Sequence, residues 1–327
     1  MAVCPKRDCK FNALTQKCNP KPNFYFCHMQ HLPIHPTGPT FSRIIAGAWR
    51  WNAIPTAAIE ELINTALDEG ITTFDHADIY GDYSNEKSFG EVIARQPHLA
   101  KKMQLVTKCG IKLTSPKKPE HRVKHYDSSK DHIIHSAENS LKLLHTDHID
   151  LLLIHRPDPL MDIHEVADAF TQLKQSGKVL SFGVSNFTIS QFDLLQSALP
   201  FPLVTNQIEL SLFCCAPLFD GTVEQLYKHQ ACAMAWSPLG GGRTFTAEDE
   251  QTRRIKDKVH QLSSKYNNAT TTQFFIAWLL KHPSKILPVI GTSKPERLRE
   301  AAKSIDVKLD TQDWYEMLKA VRGADVA

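Results

Sequence analysis

The stretch Ile149-Asp-Leu-Leu-Leu-Ile-His155 says more about the fold than any other part of the sequence. Its central positions, Leu151 to Ile154, are all apolar. A strand with one face in water would alternate apolar and polar residues, whereas a parallel strand covered on both faces is apolar throughout. The stretch therefore predicts a buried strand of a parallel sheet.

The same kind of unit recurs on both sides of this stretch. An apolar run followed by an amphipathic helix occurs about eight times, with no change of composition between units. The predicted strands are Ile44–Ala48, Thr72–Asp75, Leu105–Lys108, Ile149–His155, Val179–Val184, Leu203–Gln207, Ala231–Trp236 and Ile286–Ile290. Eight such units favour an α/β fold, the (β/α)8 or TIM barrel. The rival, an open nucleotide-binding sheet, would need G-x-G-x-x-G after its first strand, and the chain lacks that spacing.

Several segments lie outside this alternation. Residues 31–45 hold two short extended runs around a Pro- and Gly-containing turn, which predicts an N-terminal β-hairpin on the barrel floor. Two extra helices are predicted near the C-terminus, over Gln251–Tyr266 and Thr311–Val321. Residues 1–28 show no periodicity, so we expect a disordered extra segment there and a single barrel domain over 29–327.

Composition narrows the class of protein. The hydrophobic share of 42% is ordinary for a globular chain, and a net charge of +3 with scattered basic residues gives no reason to expect nucleic acid. The longest apolar run, Phe274 to Leu280, is too short to cross a bilayer. The spacing of Cys4, Cys9, Cys18 and Cys27 is not that of a zinc ribbon. We therefore expect a cytoplasmic protein with no membrane contact and no metal site.

Ionisable residues of four types fall at or just after the ends of predicted strands, where barrel active sites lie. They are Asp75, Tyr80, Lys108 and His155. A carbonyl reducer needs such a set, because hydride reaches the carbonyl carbon while a proton must reach the oxygen. A phenol with a pKa of about 10 is a weak acid unless a cation stabilises the phenolate. Lys108 can supply that charge, Asp75 can orient the lysine, and His155 can donate to the carbonyl oxygen.

Each of these residues has an ordinary structural explanation when taken alone. Asp75 and Tyr80 would fit a surface loop, Lys108 a charge at the rim and His155 a hydrogen-bonded core histidine. Their joint position at successive strand ends favours catalysis. Cys109, beside Lys108, is better explained as a small buried filler than as a reactive thiol.

The motif Gly70-Ile-Thr-Thr-Phe-Asp-His-Ala-Asp-Ile-Tyr-Gly81, followed by Glu86 and Gly90, resembles the first signature of the aldo-keto reductases. The segment Ile154-His-Arg-Pro-Asp-Pro159 resembles the bacterial branch of NADPH-dependent oxidoreductases in that family. The resemblance implies a reductase of aldehydes or ketones. It also implies that Tyr80 donates the proton and that the other three residues complete a tetrad. The partner would be a small carbonyl substrate, and we expect a monomer.

The resemblance also implies an NADPH (NADP+) site. Ser185, Asn186 and Gln207 match positions that bind the nicotinamide carboxamide, and Trp236 matches the residue that stacks on the ring. The remaining matches are Ser237, Leu239 and Gly241 for the pyrophosphate, and Gly291, Ser293, Lys294, Arg297 and Glu300 for the adenosine phosphate.

One alternative comes from another class of protein. Some barrels of this family, the cytoplasmic β-subunits of potassium channels, bind NADPH mainly as regulatory partners. A long partner-binding segment would favour that function, and residues 1–28 are the candidate for it. An intact tetrad favours turnover.

Overall fold

A computed structural model describes residues 29–52 and 54–326. Its strands are β1 His31–Pro33, β2 Thr40–Ser42, β3 Ile45–Gly47, β4 Thr73–Asp75, β5 Gln104–Cys109, β6 Ile111–Lys112, β7 His125–Tyr126, β8 Ile149–Ile154, β9 Val179–Ser185, β10 Leu203–Glu209, β11 Cys232–Trp236 and β12 Leu287–Ile290. Its helices are α1 Thr56–Asp68, α2 Tyr80–Tyr83, α3 Asn85–Arg95, α4 Lys130–Leu144, α5 Ile163–Gln175, α6 Ile189–Ser197, α7 Thr222–Lys228, α8 Arg243–Thr246, α9 Glu250–Ser263, α10 Thr271–Leu280, α11 Pro295–Ala302 and α12 Thr311–Arg322.

A ring of eight parallel strands organises this part of the chain. Their order around the ring is β3, β4, β5, β8, β9, β10, β11 and β12, and β12 pairs back with β3. The predicted barrel is confirmed, with every predicted strand in place and its ends within two residues. Asp150 is the one polar residue of the buried strand β8. It is tolerated because its carboxylate accepts a 2.7 Å hydrogen bond from the Leu105 amide.

The seam between β12 and β3 joins distant parts of the sequence. Val289 pairs with Ile45 across it. The buried Arg43 guanidinium donates to the carbonyl oxygens of Leu280 and Ile286 beside the seam. Burial of a guanidinium is tolerated when such acceptors meet its donors. The closure of the barrel is therefore held by side chains as well as by strand pairing.

The predicted hairpin is confirmed as the antiparallel pair β1 and β2, with Leu32 opposite Phe41. Phe41 and Ile34 are fully buried. They pack in one apolar cluster with the side chains that fill the barrel, including Leu151 and Met234. The hairpin thus closes the end of the barrel opposite the strands' carboxyl ends.

The two extra helices are confirmed as α9 and α12, which pack on each other. Trp314 of α12 stacks on Trp278 of α10 with ring centres 4.8 Å apart. Each indole nitrogen donates to the other residue's carbonyl oxygen, at 2.9 and 3.2 Å. This reciprocal pair fixes the last helix to the barrel. Among the described helices, none combines the length and apolar character that a membrane crossing requires.

Residues 1–28 lie outside the described residues, so the expectation of a disordered segment stays a prediction. The described part of the chain begins at Met29, which is buried against Gly70, and the Gln30 carbonyl accepts from the Arg43 amide. We expect a chain that begins at Met29 to melt within about 1 °C of the full chain, a change under about 1 kcal/mol for a domain of this size. Thermal melting and the carbonyl-reduction rate of both chains check this. A large loss of either would give residues 1–28 a structural or partner-binding role.

Candidate active site

Ionisable side chains from neighbouring strands meet at the strands' carboxyl ends. Asp75 is the last residue of β4, Lys108 lies in β5, His155 directly follows β8, and Tyr80 begins α2. The Lys108 Nζ atom lies 2.8 Å from each Asp75 carboxylate oxygen and 3.1 Å from the Tyr80 hydroxyl. The His155 ring stands edge-on to the Tyr80 ring, with centres 5.8 Å apart. The structure therefore brings the four residues of the predicted tetrad together.

Lys108 is fully buried, and its ammonium group also donates to the His76 carbonyl oxygen at 2.7 Å. Burial alone would lower the pKa of Lys108. The Asp75 carboxylate and the Tyr80 hydroxyl outweigh that effect, so the pKa of Lys108 lies above its ordinary value. The group is a permanent cation against the phenol.

The phenol of Tyr80 keeps its proton at neutral pH. Burial raises the pKa of Tyr80, and the opposing effect of Lys108 is smaller. Lys108 acts on this pKa in the expected direction, but loss of water disfavours the phenolate more than one cation favours it. A protonated phenol beside a cation is suited to give a proton to an oxygen that becomes negative.

His155 is a neutral imidazole. Burial lowers the pKa of His155 well below its ordinary value, and the charges of Lys108, Arg156 and Lys124 lower it further. A neutral ring carries one N–H donor. Within the described residues the His155 Nδ1 atom has no hydrogen-bond partner. The residue can therefore donate one hydrogen bond to a ligand. Because its ring is neutral, it is a poor proton donor.

The chain reverses sharply after Tyr80. Gly81, Asp82 and Tyr83 all have positive φ angles, of 60°, 53° and 61°. A Cβ atom on Gly81 would lie 1.9 Å from the Asn85 Oδ1 atom, so glycine is required here by space as well as by conformation. This tight turn sets the direction of the Tyr80 side chain and explains why glycine follows it in the sequence.

Glu86 and Gly90, the two later residues of the motif, do not line the cavity and instead fix the position of helix α3. Glu86 of α3 accepts hydrogen bonds from Thr107 at 2.6 Å and from Ser140 at 3.0 Å, which ties α3 to β5 and α4. Gly90 lets α3 approach the backbone of α4 at Leu143. These contacts fix the helix that follows the tyrosine turn.

A chain of hydrogen bonds joins the tetrad to residues predicted to hold the nicotinamide. Gln207 donates to an Asp75 carboxylate oxygen at 2.8 Å, and the Ser185 hydroxyl donates to the Gln207 carbonyl at 2.9 Å. Asn186 donates to the Ser185 hydroxyl at 2.7 Å, and the Trp236 indole donates to the Asn186 side-chain oxygen at 3.0 Å. The two sets of residues therefore form one connected network.

One cavity of about 790 Å³ runs from this network to the start of α11. The predicted cofactor residues that line it are Ser185, Asn186, Gln207, Trp236, Ser237, Leu239, Gly241, Gly291, Arg297 and Glu300. Ser293 and Lys294 are not part of the lining. Arg299, a further cation of α11, is also absent from the lining and donates to Thr65 of α1 at 3.3 Å. Arg297 is thus the predicted phosphate-binding cation that the cavity contains.

Sequence reasoning missed part of the cavity wall. Trp49, Arg50 and Asn52 line it from the loop after β3, and Arg50 donates to the Gly241 carbonyl across its mouth at 3.1 Å. In a barrel, the loop that follows each strand lies at the active face. The predicted end of the first barrel strand, near Gly47, could therefore have indicated that the next residues line the cavity. Cys109 is buried and its pKa is raised well above its ordinary value, so the expected structural role is supported.

A closed parallel barrel that holds a buried lysine–carboxylate pair against a tyrosine at its rim has the groups that the reduction of a carbonyl requires. The family model described as the aldo/keto reductase family matches residues 43–322, and the chain belongs to this family. The resemblance seen in the sequence motifs is thereby confirmed.

Similar proteins support the same assignment. The chain is 48% identical to the oxidoreductase YdhF of Escherichia coli, over 91% of this chain and 99% of that protein. It is 44% identical to a 6-dehydroglucose reductase of Agrobacterium fabrum, over 88% of this chain and 96% of that protein. The crystal structure of Tm1743, a thermostable aldo-keto reductase in complex with the inhibitor epalrestat, matches with a TM-score of 0.76 at 26% identity. That match covers 89% of this chain and all of the other.

Proposed function

We propose that this protein reduces aldehydes or ketones to alcohols, with NADPH as hydride donor and Tyr80 as proton donor. The observation that carries the proposal is the short Lys108–Asp75 pair beside the Tyr80 hydroxyl, within a cavity large enough for a dinucleotide and a small substrate.

The tetrad residues divide the work. The substrate oxygen would accept hydrogen bonds from the Tyr80 hydroxyl and from the neutral His155 ring, and these would fix the angle of the carbonyl. A bound reduced nicotinamide supplies hydride to the carbonyl carbon. As the oxygen gains charge, Tyr80 gives it a proton, and Lys108 stabilises the phenolate that remains. Asp75 keeps Lys108 charged and in place, and Tyr80 regains a proton from solvent.

The residues along the cavity fit an extended dinucleotide. Amide and hydroxyl groups of Ser185, Asn186 and Gln207 would hold the carboxamide, and Trp236 would stack on the ring. The backbone at Gly242 and Gly291 is open, since a Cβ atom at either would meet nothing within 4 Å, and phosphate groups could approach it closely. Arg297 supplies a cation at the far end, where barrels commonly bind phosphate.

Arg297→Ala tests the choice of cofactor. Hydrogen bonds to a charged group are each worth about 1.5–3 kcal/mol, which corresponds to roughly a tenfold to hundredfold change in affinity. Because Arg297 is exposed, we expect the lower half of that range for NADPH and almost no change for NADH. Titration of both reduced cofactors measures the two dissociation constants. Arg299→Ala is the matched control, and equal losses for both cofactors would assign Arg297 to the fold.

A panel of carbonyl compounds tests the activity itself. It should include 6-dehydroglucose, because a relative 44% identical carries that name. Loss of the absorbance of reduced nicotinamide reports turnover, and parallel assays with NADH report cofactor preference. Tight NADPH binding with no reduction of any compound would instead favour the regulatory alternative.

A further inference from the structure

The segment from residue 112 to 126, here called the basic flap, carries an unusual concentration of positive charge. It contains five lysine and arginine residues and a single glutamate. Its ends belong to the paired strands β6 and β7, with Lys112 opposite His125. Leu113 of the flap donates its amide to the Tyr83 hydroxyl at 2.8 Å, which holds the flap against the turn that follows Tyr80. The flap therefore stands beside the substrate end of the cavity.

Three cations of the flap already have partners. Lys112 pairs with Asp127 at 3.4 Å, Lys117 donates to the Asp82 carbonyl oxygen at 2.6 Å, and Lys118 lies over the Tyr83 ring at 5.9 Å from its centre. Lys124 differs from these. It lines the cavity, and within residues 29–52 and 54–326 it forms no ion pair or hydrogen bond.

A second cation that lines the cavity, Arg156, has no carboxylate partner within the described residues. Arg156 follows His155, is half-buried, and lies over the Trp236 ring with its Cζ atom 5.7 Å from the ring centre. No carboxylate of the described chain pairs with it. Arg156 and Lys124 both contribute to lowering the pKa of His155, after the larger effects of burial and of Lys108. Both charges therefore act electrostatically on His155, at the catalytic end of the cavity.

The carboxylates along the cavity do not neutralise these cations. Asp75 is bound by Lys108 and Gln207, and Asp82 faces Lys117 at 3.9 Å. Glu300 lies at the other end of the cavity and accepts from Thr270. Apolar side chains line the same cavity, among them Ile79, Ile111 and Leu113, and Trp236 lies directly under Arg156. In such surroundings a cation attracts an anionic ligand more strongly than it would in water.

We propose that Arg156 and Lys124 form an anion subsite, which binds a carboxylate, sulfonate or phosphate group of the substrate while its carbonyl lies at Tyr80. The inference rests on the proposed function, and it narrows the substrate to an aldehyde or ketone that carries a negative charge. A planar guanidinium suits a carboxylate or a phosphate, because it can donate two parallel hydrogen bonds to either.

Matched substrates test this subsite. 4-Oxobutanoate and its methyl ester present the same aldehyde with and without the charge, and glyceraldehyde 3-phosphate and glyceraldehyde do the same for phosphate. We expect kcat/KM for the charged member of at least one pair to exceed that of its neutral partner by about tenfold or more. The pair with the larger ratio identifies the anion.

Arg156→Met should lower kcat/KM for the charged substrate by roughly tenfold to a hundredfold, mainly through KM, and leave the neutral partner nearly unchanged. Lys124→Met should act in the same direction but less, because Lys124 is more exposed. Arg122→Met is the control, since Arg122 belongs to the basic flap but not to the cavity wall. Melting temperatures of all three variants check that the fold is kept.

A binding measurement separates this inference from the proposed function. Calorimetric titration with 4-hydroxybutanoate and with glycerol 3-phosphate, the alcohols that correspond to the charged aldehydes, requires no turnover. Binding that is lost in Arg156→Met and kept in Arg122→Met would support the subsite even if no aldehyde were reduced. Equal reduction of charged and neutral partners by the unaltered protein, or charged-substrate kinetics that Arg156→Met leaves unchanged, would overturn it while the proposed function stood.

Discussion

Replacing Tyr80 by phenylalanine should lower kcat for the best carbonyl substrate by about a hundredfold to ten-thousandfold, the contribution typical of a positioned proton donor. The change removes one oxygen and keeps the ring, so the network from Asp75 to Trp236 retains its hydrogen bonds. The dissociation constant for NADPH should therefore change little. Steady-state kinetics and a cofactor titration on the same preparation give both numbers.

Tyr83→Phe is the matched control for this experiment. Tyr83 lies in the same turn, and its hydroxyl accepts from the Leu113 amide instead of contacting Lys108. Its loss should disturb the basic flap while leaving proton transfer in place. If Tyr80→Phe worked at close to the original rate, the proton would have to come from another group at the rim, and the proposed role of Tyr80 would be wrong.

Gly90→Ala should cause the largest loss of stability among conservative changes in the motif. The added Cβ atom would lie 1.8 Å from the Leu143 carbonyl oxygen and 3.0 Å from the Leu144 Cα atom. Both atoms belong to the backbone of α4, so two helices must separate. Overpacking of this kind costs typically 1–3 kcal/mol and occasionally more, and we expect about 3 kcal/mol here. The better helix propensity of alanine, about 1 kcal/mol, offsets only part of the clash.

Thermal and denaturant unfolding measure this loss, which corresponds to a melting temperature lower by roughly 5 °C. Lys87→Ala is the control, because Lys87 is an exposed residue of the same helix, and its change should stay within about 0.5 kcal/mol. An unchanged melting temperature in Gly90→Ala would mean that α3 and α4 can move apart freely.

The strands were predictable because burial on both faces leaves a local pattern. The apolar positions of β8 are visible in four consecutive letters, and the polar residues at strand ends could be read directly from the strand assignments. Barrel topology then brings those ends to one rim. Asp75, Lys108 and His155 could therefore be grouped from the sequence alone.

The bond between Gln207 and Asp75 could not be predicted in the same way. Gln207 lies in β10 and Asp75 in β4, strands that are not neighbours in the ring, and their contact depends on the inward direction of both side chains across the barrel. Ser293 and Lys294 illustrate the opposite case. They match a motif, yet the chain entering α11 leaves them outside the cavity lining, because a motif fixes residue types and not the direction of each side chain.

The seam between β12 and β3 has a consequence for biosynthesis. Arg43, at the beginning of the ring, makes its hydrogen bonds to residues about 240 positions later, and Trp51 donates to the Thr292 carbonyl across a similar separation. Gly47 on one side of the seam and Gly291 on the other both line the cavity. A ribosome adds about 5–20 residues per second, so β12 is synthesised roughly ten seconds or more after β3, with which it pairs. Until then the nascent chain lacks one wall of the cavity, so the ligand site is among the last parts of the molecule to form.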